Sequence, residues 1–298
     1  MSTLPSRPAN ALPGSQFMQS LEAKDSGNRD DLITSEILRG NVPDFMHKFV
    51  PITITEGGNT LIYYVAPDYL CLGTDQDYVR VPLGAQAAQR IADAFGCTLP
   101  SAKMSNQIWQ AAAAKVPPKP MSGITSNIGG QTYSPTDFLK TKMTDTDSFV
   151  EHNRLIQQQL AAHKLGDLVA GHKKDVVVSN QLAQRPGKVA IHGLHNTKGQ
   201  AIQGGSWGHD INYRDYSHGI RMVDKFAKLN GKNVNLQSVM QDPKYAALVS
   251  DEGALKFVAY NYNDKQQQQV ATAPKQPLKT DDLVSKIDTY LDQITKLI

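Results

Sequence analysis

The chain has 298 residues, with 31 Lys and Arg against 28 Asp and Glu and a formal net charge of +3. So small a basic excess argues against a dedicated nucleic-acid binder, which carries a basic patch or stripe, and 40% apolar residues against 20% charged exclude a chain disordered throughout. No apolar run reaches the ~18 residues of a membrane span, and the first residues, MSTLPSRPANALPGSQF, lack an apolar signal segment, so the expectation is a cytoplasmic chain unless another export route serves it.

Residues 1–14 are rich in Pro, Ser and Ala and read as a flexible tail. Phe17, Met18 and Leu21 form one helical stripe; Leu32, Ile33, Ile37 and Leu38 form a second, which Gly40 stops. A short helical turn is expected after Pro43. The β-branched and aromatic runs 52–55 and 60–65 flank Glu56-Gly57-Gly58-Asn59, a hairpin signature, and 69–72 and 78–81 are expected to extend its sheet. Cys71 and Cys97 are too few for a disulfide scaffold and read as buried thiols, a single bridge being the alternative. Helices are expected over 85–95, 101–115 and 147–164, with a Pro- and Gly-rich crossing at 117–136. Beyond 165 the texture changes: 175–179, 188–194, 219–223 and 255–262 read as strands, and 234–240 and 243–249 as short helical pieces. Residues 264–279 form a Gln- and Pro-rich linker. Leu283, Ile287, Leu291 and Ile294 then line one face of an amphipathic helix over 280–298, either docked on the body or a surface for self-association. The expected fold class is α+β: a helical part with a β-hairpin over 15–165, then a β-rich part over 166–263.

Five of the eight histidines fall between His172 and His218, in a glycine-dense stretch that also carries Lys173, Lys174, Asp210, Asp215, Tyr216 and Ser217, with Arg221 just beyond. Histidine is the usual general base near neutral pH and the commonest metal ligand, so this stretch is the candidate site. It contains no helix-borne zinc-protease motif, no nucleophile elbow and no phosphate-binding loop.

Ile191-His192-Gly193, followed by Ser217-His218-Gly219-Ile220-Arg221-Met222, resembles the signature of L,D-transpeptidases, in which a cysteine follows Ser-His-Gly. The resemblance implies that His192 sits where the family has its base, and that His218 and Arg221 shape the site. The sequence departs from the family by running from Gly219 straight to Ile220, so the family's thiol acyl transfer is not implied. Stretches around Asn41–Phe45, Pro67–Leu70, Gly171–Val177 and Asp215–Arg221 also resemble a bacterial family of unassigned activity. Some of its members accompany peptidoglycan-binding modules, which implies a cell-wall context.

Three chemistries fit this inventory. In the first, His218, His195, Arg221 and Asp215 are catalytic in a hydrolase acting on cell-wall peptide material. If 215–221 is extended, Ser217 and His218 point to opposite faces, so any base for Ser217 must come from another segment. In the second, His195, His209 and His218, spaced by 14 and 9 residues, hold a zinc ion that activates water. In the third, Lys173, Lys174, His192 and Tyr216 bind a peptide ligand such as a peptidoglycan stem, with no covalent step. No nucleic-acid partner is expected.

Overall fold

The computed structural model describes residues 4–21, 29–121, 126–128 and 130–262. The linker at 264–279 and the helix expected to carry Leu283, Ile287, Leu291 and Ile294 lie outside these residues. The fold is α+β.

The larger sheet grows from the expected hairpin. Strand β1 (Val50–Glu56) pairs antiparallel with β2 (Asn59–Val65), from Val50 opposite Val65 to Glu56 opposite Asn59. Gly57 and Gly58, with φ of +57° and +74°, make the two-residue turn that this register demands. Leu61, Tyr63 and Val65 point inward along β2, alternating with half-buried residues. β14 (Val223–Leu229) pairs antiparallel with β2, with β5 (Cys97–Thr98) and with β15 (Lys232–Asn235). The segments 69–72 and 78–81 do not extend this sheet: β3 (Cys71–Gly73) and β4 (Tyr78–Arg80) pair only with each other.

The smaller sheet carries the histidine-rich segment. Its order is β12 (Ala201–Ser206), β11 (Ala190–His195), β10 (Lys174–Val177) and β13 (His218–Gly219), with β13 parallel to β10 and the other pairings antiparallel. Two further pairs are short: β6 (Ala114–Lys115) with β9 (Val169–Ala170), and β7 (Ser126–Ile128) with β8 (Gln131–Tyr133).

The helices are α1 (Gly14–Leu21), α2 (Arg29–Leu38), α3 (Ala85–Ala94), α4 (Ala102–Ala111), α5 (Pro135–Thr141), α6 (Thr146–Gln159) and α7 (Leu236–Gln241). Ser101 caps α4, its Oγ accepting from Met104 N at 3.1 Å. Among the described residues no helix is long and apolar enough to cross a membrane.

Three expectations change. The boundary at 165 does not divide the core. One hydrophobic cluster runs from Met18 to Tyr260, and the first and last parts of the chain share β2 and β14 in one sheet. Residues 4–13 are not a loose tail: Ala11 is buried, and Arg7 Nε donates to Asn41 Oδ1 at 2.9 Å. The last expected strand, 255–262, does not form a ladder. Tyr260 instead uses its hydroxyl, accepting from Ala190 N at 3.0 Å and donating to Val177 O at 2.6 Å. Cys71 and Cys97 are both buried and are not bridged to each other.

Candidate functional site

The central strand of the smaller sheet buries two charged residues, Lys174 and Asp175, beside Val176 and Val177. Its register sets the geometry of everything around it. Lys174 lies opposite Gly193 on one side and His218 on the other; Asp175 lies opposite His192 and Gly219. Alternation therefore puts Lys174 and His218 on one face and Asp175 and His192 on the other. His192 and His218, which the resemblance would draw into one site, face opposite sides of the sheet.

On the His218 face, the Asp215 carboxylate collects donors. Lys174 Nζ reaches Oδ2 at 3.0 Å, Ser217 N reaches Oδ1 at 2.8 Å, the Ser217 hydroxyl donates to the same oxygen, and Tyr213 Oη lies 3.4 Å from Oδ2. Burial alone would push this carboxyl up, but Lys174, His218 and Ser217 together hold it well below the usual carboxylate range. Asp215 is thus a satisfied anion and a poor base, and Ser217 is tied to it. His218 lies beneath two half-buried rings, His209 and Tyr213, which stack at 4.0 Å with an interplanar angle of 11°. His218 meets the first at 6.2 Å and the second at 5.5 Å, both edge-on. It is fully buried, and neither ring nitrogen has a hydrogen-bond partner among the described residues. Burial, against the pull of Asp215, takes its pKa down to about 3, so the ring is neutral at pH 7. A neutral imidazole carries one donor and one acceptor, and leaving each unpaired when buried costs ~1–3 kcal/mol.

The opposite face is built by a backbone distortion. Gly193 has φ +133° and Leu194 φ +51°, a conformation that L-residues with side chains seldom adopt. The distortion turns His195 back onto the His192 face, where both imidazoles meet one amide of α4. His192 Nε2 lies 2.8 Å and His195 Nε2 2.9 Å from Asn106 Oδ1. Gly205 N donates to His192 Nδ1 at 3.3 Å, so His192 carries its proton on Nε2 and donates it to Asn106. His195 stacks on the half-buried Trp109 at 5.8 Å, and its Nδ1 is buried with no hydrogen-bond partner. Burial and the neighbouring His192 lower its pKa to about 4. Asp175, one carboxyl oxygen on the Ser105 hydroxyl and the other unpaired, is raised to about 6 by burial, against the pull of Arg221.

The remaining expected site residues lie in the interior. Arg221 is fully buried; its guanidinium donates to Ala66 O at 3.1 Å and Val169 O at 2.7 Å and lies 4.0 Å over the Tyr69 ring. It is a buried clamp between chain segments rather than a contact for an external anion. Lys173 is buried, with Nζ 2.6 Å from Tyr216 O and 3.4 Å from His152 Nδ1. Lys174 is held by Asp215. Tyr216 packs against Phe138 and His152, and its hydroxyl accepts from Met121 N at 3.0 Å. The expectation that Lys173, Lys174 and Tyr216 meet a ligand at the surface fails because all three are closed into the core.

The zinc set does not assemble either. His209 and His218 are in contact on one face, while His195 belongs to the Asn106 and Trp109 group. Among the described residues no three His, Cys, Asp or Glu side chains converge to hold a metal ion. His192 is no substitute ligand through Nε2, because the Gly205 hydrogen bond keeps that nitrogen protonated.

Sequence reasoning missed Asn106, Trp109, His152 and Tyr69. For His152 a signal existed: Phe149, His152, Asn153 and Ile156 fall at helical spacing on the buried face of α6. For Asn106 none did, since its role depends on the turn at Leu194 beyond it in sequence. Comparison with protein-family models, with curated proteins and with solved structures finds no match to this chain.

Proposed function

We propose that this chain recognises peptide material of the cell wall at the His209–Tyr213–His218 face and holds it without cleaving it. The observation that supports this is the stacked pair of His209 and Tyr213, half-exposed above the closed-in, neutral His218. The pair offers a stacking face to planar groups of a peptide, and His218, itself closed from solvent, supports it from beneath. The weak basicity of His218 and the satisfied Asp215 favour recognition over proton transfer. The cell-wall context rests on the resemblances of the Ser217–Arg221 motif. A second reading, hydrolysis, is favoured by His195, whose Nδ1 carries the lone pair of the neutral ring and has no hydrogen-bond partner among the described residues.

Soluble peptidoglycan fragments titrated into the full chain, with fragment masses followed in parallel, test both readings. The expected result is saturable binding with unchanged masses, weakened at least 10-fold in His218→Ala and in the half-exposed His209→Ala, about 1.4 kcal/mol. New fragment masses that vanish in His195→Ala overturn binding in favour of hydrolysis. Neither binding nor new masses overturns both.

A further inference from the structure

Five cations are buried among the described residues, and three have carboxylates within ion-pair distance: Arg29 meets Asp30 at 3.9 Å, Arg80 meets Asp68 at 2.6 Å and Lys174 meets Asp215 at 3.0 Å. The other two, Lys173 and Arg221, have no carboxylate within ion-pair distance among the described residues. Lys173 has a carbonyl and an imidazole, and Arg221 has two carbonyls and a ring face. Asp215 and Asp68 act on Lys173, and Asp175 on Arg221, only from beyond that distance.

His172 sits where these fields overlap. It is fully closed from solvent, meets the Tyr69 ring edge-on at 5.0 Å and lies 6.5 Å from the His152 ring. Burial first, then Arg80, Lys173, His152 and Arg221, keep it neutral. Both of its ring nitrogens lack a hydrogen-bond partner among the described residues. The neutral ring therefore presents an N–H with no acceptor among the described residues, beside Lys173 and Arg221, which have no carboxylate at ion-pair distance. A water molecule would complete the hydrogen bonding and leave the charge unbalanced. A small anion completes both, because it accepts the N–H and offsets the buried ammonium, whose isolation is costly.

We propose that the His172–Lys173 cluster binds one small monovalent inorganic anion of halide size, held by the His172 N–H and the Lys173 ammonium. The site is distinct from the His218 face and does not depend on the recognition function.

Thermal unfolding of the full chain at pH 7 in chloride, bromide or gluconate at equal ionic strength tests it. Gluconate is too bulky to enter and reports the general salt effect. The expected result is a saturable rise in Tm with either halide, ~2–4 °C above gluconate once the site is several-fold saturated. Lys173→Met should lose the halide-specific part. Equal response to all three salts, or a halide response intact in Lys173→Met, overturns the proposal. Should that variant not fold, crystals of the wild-type chain grown in bromide decide. An anomalous peak against His172 is expected; a peak only elsewhere, or none, overturns the assignment.

Discussion

Leu194 is where the backbone conformation and the site meet. Of the two non-glycine residues with positive φ among the described residues, Asn230 is at +50° in an Asn-Gly hairpin turn, where such a backbone is ordinary, but Leu194 is at +51° between a glycine and a histidine. Holding a residue with a Cβ there costs ~1–2 kcal/mol. What the distortion secures is the meeting of His192 and His195 on Asn106 Oδ1. Strain of this kind gathers at functional positions. Replacing Leu194 by Gly relieves it at the expense of a half-buried side chain, so stability by urea denaturation should change by no more than ~1 kcal/mol. Leu194→Val places a β-branched residue where it is least tolerated and should cost ~1–2 kcal/mol. Equal stability of the Gly and Val variants would show that the turn is not strained.

At the scale of elements, the motif Ser217-His218-Gly219 has a packing explanation beside any functional one. A Cβ on Gly219 would lie 2.4 and 2.6 Å from two carbons of the Tyr69 ring and 2.9 Å from Lys173 Cβ. Tyr69 cannot yield easily, because Arg221 covers its face and His172 meets it edge-on. Gly219→Ala should therefore destabilise the fold by ~2–3 kcal/mol, read as a lower urea midpoint with unchanged slope. A variant within ~0.5 kcal/mol of wild type would mean that the ring shifts freely and that the glycine serves something other than packing. The elements themselves were legible wherever periodicity and turn chemistry agreed. The Gly57-Gly58 hairpin and helices α1 to α4 and α6 follow from the residues that build them. β12 did not, because Ala201–Ser206 contains two glycines and reads as a flexible turn. The site was legible as a region and not as an arrangement. The histidines cluster in sequence, but register sends His192 and His218 to opposite faces, and burial turns Arg221, Lys173 and Tyr216 into core. Register and burial are tertiary properties that spacing alone does not contain.

For the molecule as a whole, this polar interior should make stability depend on pH in a defined direction. His152, His172, His195 and His218 are all buried, and burial is the largest cause that depresses each of them, the last two to about 4 and about 3. In the unfolded chain each titrates near ~6.5. Between that value and its folded one, the unfolded state binds a proton that the native state refuses, so stability falls as pH falls. Each histidine should remove on the order of 2 kcal/mol by pH 5. Asp175 works the other way: its carboxyl is raised to about 6, so below that pH the native state holds the extra proton and gains stability. One such carboxyl against four imidazoles leaves acid net destabilising. Lys173, lowered to about 7 by burial and then Arg80, adds a gain in stability as pH rises above 7. Asp215, held low mainly by Lys174, keeps its contribution until far stronger acid. Urea midpoints at constant ionic strength and anion composition should therefore drop steeply from pH 7 to pH 5, well before the carboxylates of an ordinary domain titrate. His152→Phe should flatten part of that drop, because an apolar ring in the same place has no proton to refuse. A wild-type midpoint constant across pH 5–7 would mean that these rings accept protons in place, with water or an anion reaching them inside the fold.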